Sequence, residues 1–475
     1  MNRFGAFAGR PLVRAAAVGL SLAMAGLTLA ACGGDSSDSD AGTSSSAAAD
    51  DQAAIAADAY VFGYPLVLMD ATRAAAGESN RFNHADALPT PADRQVVRLN
   101  LDTLYSQAWF DLKAEPMILQ IPEMDSDRYW LMQILDAWTN TAHDPGNLDP
   151  QVGSGAKTGP FTYAVTGPGF EGTLPDGVTQ LKMPTDMAWL LGRVQVNGES
   201  DVAAVQAIQD QMKLVPLSRW VAGDQENLPA GQPADKTKNP SQQVSQMFAP
   251  QFFATLNDLM TANPPAAADA DAMKRFAEIG VAPGGNTDKT TPDVLNQGAQ
   301  AGTKAIAAYT DPGRKNENGW IFGTDIGTYG TNYALRANTA MLGLGANLPK
   351  DAVYPTLFVE PAGGGANGKY TLHFEAGKLP PAKAFWSITA YDADSFLVAN
   401  PANIYAVGHQ VPVTANPDGS VDITVQAADP GSRVPAGNWL PIPESGKFSL
   451  TMRLYAPENS VIDGSWQPPA LKAAS

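Results

Sequence analysis

Asn416-Pro417-Asp418-Gly419, followed by Val421-Asp422-Ile423-Thr424-Val425-Gln426, is the stretch that decides the fold. Its first four residues carry turn chemistry: proline pre-sets one backbone angle, Asn and Asp bond back to their own main chain, and glycine accepts a positive φ. The β-branched run after it is short, so the turn separates two strands. Working outward, the same texture recurs. Strand candidates lie at residues 354–359, 370–374, 385–391, 421–426 and 448–455, and this spacing argues for a β-sandwich or jelly roll. Upstream, residues 117–121, 129–138, 161–165 and 187–196 are apolar and aromatic runs cut by Pro and Gly, suited to an antiparallel sheet.

Helical patterning falls between and beside these runs. Residues 201–214 place Val202, Val205, Ile208 and Met212 on one side of a helix, and residues 331–344 read as another. Residues 52–70 predict an amphipathic helix interrupted near Gly63 and Pro65. Residues 223–240 read as a linker, and 241–310 as helical blocks cut by Pro264-Pro265 and Pro283-Gly284-Gly285. The expected protein is mainly β with helical insertions: two β-sandwich or jelly-roll-like modules, 51–222 and 318–475, joined by a linker and helical segment at 223–317.

The N-terminus sets the location. Arg3, Arg10 and Arg14 precede an uncharged run from Ala15 to Ala31, which ends in Leu29-Ala30-Ala31-Cys32. That layout is a secretory leader, and the ending resembles the lipobox of bacterial lipoproteins, in which the cysteine is lipidated and the leader (1–31) removed. The run is about 17 residues and Ala-rich, short for an uncleaved span. Residues 32–50 are Gly, Ser, Asp, Thr and Ala with no core former, a solvated tether. The expected setting is the cell envelope: lipid-anchored through Cys32, at the outer membrane and facing the periplasm or surface. No later window is expected to cross a bilayer.

The formal net charge is −17, and losing three leader arginines makes it more negative. This argues against nucleic-acid partners, whose phosphates would be repelled. Cys32 is the only cysteine, so disulfide and thiol chemistry are excluded from the body of the protein.

Candidate chemistry is sparse. Ser154-Gly155-Ala156-Lys157-Thr158-Gly159 contains S-x-x-K and K-T-G, but both share Lys157 where penicillin-binding enzymes need two lysines, so a surface loop is the plainer reading. His84, His143, His373 and His409 show no short metal-ligand spacing, and no metal site is expected from them. His143 and Asp136 lie in a polar cluster closing an apolar strand, a candidate general base or metal ligand against the simpler reading of a hydrogen-bonded strand terminus. Asp392-Ala393-Asp394 offers oxygens to a divalent cation such as calcium, against the simpler reading of a capped turn. Asn100, Asp102 and Tyr105 in the first half, with Asp325, Tyr329, Tyr333 and Arg336 in the second, form the best constellation. If a helix begins by Tyr329, one face carries two phenols and a guanidinium, able to bind a carboxylate or sugar. The alternative is Arg336 satisfying carbonyls and an Asp between the modules.

Two halves of the chain resemble known families. Asn100-Leu101-Asp102-Thr103-Leu104-Tyr105-Ser106, with Gly63-Tyr64-Pro65-Leu66 and Leu191-Gly192-Arg193, resembles the bacterial domain-of-unknown-function family 1254. Gly327-Thr328-Tyr329-Gly330, Tyr333, Arg336-Ala337, Gly343-Leu344-Gly345-Ala346-Asn347, Phe385-Trp386-Ser387-Ile388-Thr389 and Asn438-Trp439-Leu440-Pro441 resemble the companion family 1214. The resemblance implies a mainly β, usually secreted two-module protein and no particular reaction. Two functions remain open: binding a small molecule or glycan in a cleft between the modules, or a periplasmic hydrolase using a carboxylate pair (Asp102 and Asp136) or a bound cation. No cofactor is called for, and oligomeric state is open.

Overall fold

The strand Thr103–Asp111 shows how the first half is built. Its side chains alternate, so Leu104, Ala108 and Phe110 enter one core while Trp109 enters another on the opposite face. It pairs antiparallel with Met187–Gln195, which pairs in turn with Trp130–Asp136. Asn83–His84 and Thr141–His143 complete the five-stranded sheet at its edges. A four-stranded sheet, ordered Thr179–Lys182, Phe161–Thr166, Met117–Ile121 and Lys213–Pro216, closes over one face. Leu119, Ile134, Tyr163, Leu190 and Leu214 fill the space between. Met187–Gln195 is buried along almost its whole length because both of its faces are covered, which is why its sequence is nearly continuously apolar.

The computed structural model describes residues 40–94, 96–125, 127–152, 158–229, 231–232, 234–235, 237–361 and 367–474, with side chains from residue 49 onward. The leader, Cys32 and residues 153–157 of the Lys157 loop lie outside the described residues. Ala47–Ser475 forms one compact unit.

In the second half Phe448–Pro457 is the buried spine. Thr356–Val359 and Ala382–Tyr391 flank it in a seven-stranded sheet. The facing sheet runs Trp439–Leu440, Val421–Val425, Tyr370–Phe374, Leu471–Ala473, and Leu372, Ile388, Ile423, Leu450 and Met452 pack between the two. The turn at Asn416–Gly419 forms as expected, with Gly419 at φ 85 and its N–H on the Asn416 carbonyl. It does not make a hairpin. Ala406–Gly408 before it belongs to one sheet and Val421–Val425 after it to the other, so the turn carries the chain across the sandwich.

Helices cover the other face of the five-stranded sheet. Asp40–Ala76 is one continuous helix with Pro65 inside it; it starts within the stretch read as a tether and is not interrupted at Gly63. The glycine serves packing: a Cβ there would lie 2.4 Å from Leu256 Cδ2. With Ala249–Ala262, Pro292–Ala308 and Tyr333–Gly343, this helix buries Trp109, Leu135, Trp189 and Leu191 of the sheet. Burial on that scale outweighs the hydrogen bond a mid-helix proline forfeits. By length and composition Ala49–Ala76 is apolar enough to cross a membrane, contrary to expectation, yet 67% of its apolar window is buried within the protein. It is a core helix.

Candidate binding site at the junction of the two sandwiches

The two sandwiches meet through the outer faces of their central sheets, in a layer of Tyr, Arg and amide side chains. Asp102 is 1% exposed there. Its Oδ2 accepts from Ser387 Oγ at 2.7 Å, and its Oδ1 lies 3.5 Å from His409 Nδ1. The His409 ring stacks on Phe385 at 4.0 Å, and its Nε2 meets Asn197 Oδ1 at 2.8 Å and Gln195 Nε2 at 2.9 Å. Asn100 accepts from the Asp102 N–H and the Tyr455 hydroxyl, which fixes the loop before the strand. Tyr105 lies under the Arg193 guanidinium, 5.2 Å from ring centre to Cζ. Burial opposes ionisation of this phenol, but Arg193, a bond to Asn100 and Arg453 together draw it below the usual tyrosine value. Arg453 donates to Thr389 Oγ1, the Arg98 carbonyl and the Tyr391 hydroxyl. So Asn100, Asp102 and Tyr105 do cluster, but with Ser387, His409, Arg453 and Tyr455 as their partners from the second half. Such a network holds two sheets in one register, although Asp102 Oδ1, Arg193 Nε and His409 Nδ1 are buried without a hydrogen-bond partner among the described residues.

Tyr329, Tyr333 and Arg336 go elsewhere. The helix begins at Tyr333, with Asn332 Oδ1 accepting from the Leu335 N–H, so Tyr329 sits in the preceding loop and the expected single helix face does not exist. Arg336, 3% exposed, lies about 5 Å from the Phe62, Trp138 and Tyr333 rings and donates to the Phe62 carbonyl at 3.1 Å. Tyr333 donates to Asp269 at 2.8 Å. Asp136 accepts from the Trp138 and Asn140 N–H groups and from Asn140 Nδ2. Burial lifts its carboxyl to about 6, against those bonds and the Arg336 charge. This group matches the alternative, an Arg satisfying carbonyls near an Asp.

Asp102 and Asp136 do not form a pair. Thr103, next to Asp102, faces Gln195, while Asp136 faces Ala188 on the same strand. Seven residues at about 3.3 Å each set Thr103 roughly 23 Å from Asp136 along the strand, and Asp102 lies beyond Thr103. His143 Nε2 contacts the Lys182 carbonyl at 3.0 Å on the edge strand. Asp392 Oδ1 accepts from the Asp394 and Phe396 N–H groups, the geometry of a capped turn. Among the described residues no group of three or more His, Cys, Asp or Glu is placed to hold a metal ion.

A pocket opens at the rim of the same junction. Its cavity volume is about 210 Å³, and Tyr129, Asp144, Asp149, Lys350, Asp351 and Lys383 line it. Asp144 follows the edge strand Thr141–His143 of the first sandwich. Lys350 and Asp351 immediately precede Ala352–Val353, which pairs with Phe448–Pro457 in the second. The first half therefore supplies Asp144 and Asp149, and the second supplies Asp351. Lys350 Nζ forms an ion pair with Asp144 and lies 3.9 Å from Asp351 Oδ1. Asp351 is fixed by its main chain, donating to the Leu348 carbonyl and accepting from the Ala456 N–H. Burial, then the adjacent Asp144 charge and a hydrogen bond to it, push the Asp351 carboxyl up to about 8, while Lys350 and Arg193 pull the other way. Two carboxylates in contact cannot both ionise cheaply and hold one proton between them. Tyr129 is 3% exposed, and its hydroxyl has no partner among the described residues. A larger cavity of about 360 Å³ lies beside Asp58, Arg275 and Tyr333; its two charges already pair with each other.

The sequence offered little for this pocket. Asp144 follows His143 in the chain, and nothing local marks Lys350-Asp351 as its partners.

The shared proton has a pH consequence. Because the folded chain holds the Asp351 proton more tightly than an unfolded one, whose carboxyl has its ordinary value of 3.8, this stabilisation is full below that value and is lost as pH rises through about 8. Thermal melts are expected to show Tm falling from pH 6 to 9, and Asp351→Asn is expected to flatten that slope. An unchanged slope in the variant would assign the proton to another group.

The family described as "Protein of unknown function (DUF1254)" matches residues 79–216, and "Protein of unknown function (DUF1214)" matches residues 351–459. Among solved structures, the chain is similar to the VPA0106 protein from Vibrio parahaemolyticus at 22% identity and a TM-score of 0.68, covering 89% of this chain and 100% of that one. It is also similar to an uncharacterized protein from Burkholderia cenocepacia at 14% identity and a TM-score of 0.41, covering 87% of each. No curated protein matches. The first likeness extends the two-sandwich fold across the whole described body, and with both regions in their N- to C-terminal order the chain belongs to the proteins of unknown function that join DUF1254 to DUF1214.

Proposed function

We propose that this protein is an envelope lipoprotein, held by lipid on Cys32, that binds a small neutral hydroxylated molecule in the junction pocket. One observation carries the reading: Asp144 and Asp351 arrive from opposite sandwiches around Lys350 in a single cavity. The pocket's charges nearly cancel. Asp144 and Asp149 offset Lys350 and Lys383, and Asp351 keeps a proton at neutral pH. A net ion entering would lack a countercharge and forfeit its hydration. A hydroxyl instead donates to a carboxylate and accepts from an ammonium or phenol, meeting both kinds of group here. At about 210 Å³ the cavity is smaller than drug-sized pockets and suits one sugar ring or a short polyol.

Calorimetry on the full chain in detergent tests this with D-glucose, myo-inositol, ethanolamine and acetate. Saturable binding of the neutral pair is expected, at least tenfold tighter than of either ion, and weakened tenfold or more by Asp351→Ala. Preference for an ion, or no binding at all, would refute it. For the anchor, Cys32→Ser is expected to release the protein from the membrane fraction.

A further inference from the structure

We infer that Asp144 and Asp351 act together on the bound molecule, as base and acid, so that the pocket hydrolyses a small hydroxylated ester or lactone. The inference rests on the junction pocket being the binding site. A site that only binds hydroxyls needs acceptors and gains nothing from two carboxylates in contact, since one of them must stay neutral. Here the two roles are separated by their neighbours. Lys350 Nζ pairs with Asp144, and Gln151 Nε2 donates to Asp144 Oδ1, which places Asp144 where a base is needed. Asp351, tied by its main chain to Leu348 and Ala456, is the member that holds the proton.

A second feature points to a ligand independently of the acids. The Tyr129 ring belongs to the pocket wall, and its hydroxyl is buried without a partner although Asp351 and Asp144 are both near enough to act on it. A buried hydroxyl without a bond is costly, and a carbonyl oxygen polarised beside the acid pair would accept from it. The spacing also selects the reaction. Glycoside cleavage places its carboxyl groups about 5 to 9.5 Å apart on either side of the bond, whereas carboxyls sharing a proton suit addition of water to an acyl carbon.

In the first step a water oxygen bonds to the acyl carbon as its proton passes to Asp144, and the carbonyl oxygen takes the Asp351 proton. The neutral tetrahedral intermediate then breaks its bond to the alkoxy oxygen, which leaves with the proton from Asp144. The former carbonyl hydroxyl returns its proton to Asp351 as the double bond re-forms. One water is consumed, one acid and one alcohol appear, and the pair is restored.

The test is acid release from D-glucono-1,5-lactone in a pH-stat with the full chain in detergent, alongside D-glucose binding and methyl α-D-glucoside as a glycoside control. Release above the spontaneous rate is expected, falling on the basic side near pH 8. Asp351→Asn is expected to cut kcat/KM at least 100-fold, well beyond its loss of D-glucose affinity. Glucose binding without lactone turnover would overturn the acid-base assignment and leave the binding site standing. Neither binding nor turnover would remove both. Cleavage of the glycoside, or full turnover by Asp351→Asn, would also overturn it.

Discussion

Asp136→Ala is expected to destabilise the fold by about 3–5 kcal/mol, the range for breaking a buried charge out of its network. The carboxylate collects the Trp138 and Asn140 N–H groups in a turn whose Thr139 sits at φ 71. Alanine would leave those donors unpaired in a buried place, at about 1–3 kcal/mol each before relaxation. The loss would spread. Asn140 Oδ1 accepts from the Tyr329 N–H, and the Thr141 N–H donates to the Gly327 carbonyl, so the same turn docks the loop leading into Tyr333–Gly343. Arg336 would lose the nearby carboxylate among its three rings. Urea denaturation of the variant measures this; a loss under 1 kcal/mol would mean the turn is held by its flanking strands alone.

Gly298→Leu is expected to cost about 3 kcal/mol, toward the upper end of overpacking penalties. In the helix Pro292–Ala308, a Cβ at Gly298 would lie 2.3 Å from Ala56 Cβ and 2.9 Å from the Ala53 carbonyl oxygen. One turn on, a Cβ at Gly302 would lie 2.9 Å from both the Ala57 oxygen and Tyr60 Cδ1. These glycines let two helices touch backbone to backbone. Even Gly298→Ala should destabilise, although alanine improves intrinsic helix propensity by about 1 kcal/mol, because the clash includes main-chain atoms that cannot step aside. If thermal melts show Gly298→Ala to be stabilising, the two helices do not pack this closely.

Much of the β framework was legible because its cores impose patterns on short segments. Residues 117–121 and 370–374 appear as strands at the expected bounds, and 187–196 within one residue. Thr103–Asp111 was not seen as a strand: its motif-like start hides the alternation, since Asp102 and Tyr105 meet the other sandwich and Ser106, on the inner face, is polar and bonds His84 and Gln209. The helix through Gly63 and Pro65 was cut too early since local propensity cannot register Leu256, nearly two hundred positions away, filling the space the glycine leaves. Site residues followed the same division. Asp136 was read with His143, and Tyr333 and Arg336 with Tyr329; that Asp136 and Arg336 lie near one another depends on Phe62 and Trp138, both far from Arg336 in the chain. The Asp144–Asp351 contact exists only when both sandwiches are assembled, so no spacing in the chain announces it.

The carboxyl ¹³C shifts of Asp144 and Asp351, followed by NMR across pH 3 to 10 in wild type and in Lys350→Met, probe that contact most directly. One of the two is predicted to titrate near pH 8, with both carbons responding to that same proton, and Lys350→Met should move the transition upward because a neighbouring cation is lost. Two independent transitions, both below pH 5, would contradict it: the carboxyls would then be separate surface charges and the pocket would have no shared proton to offer.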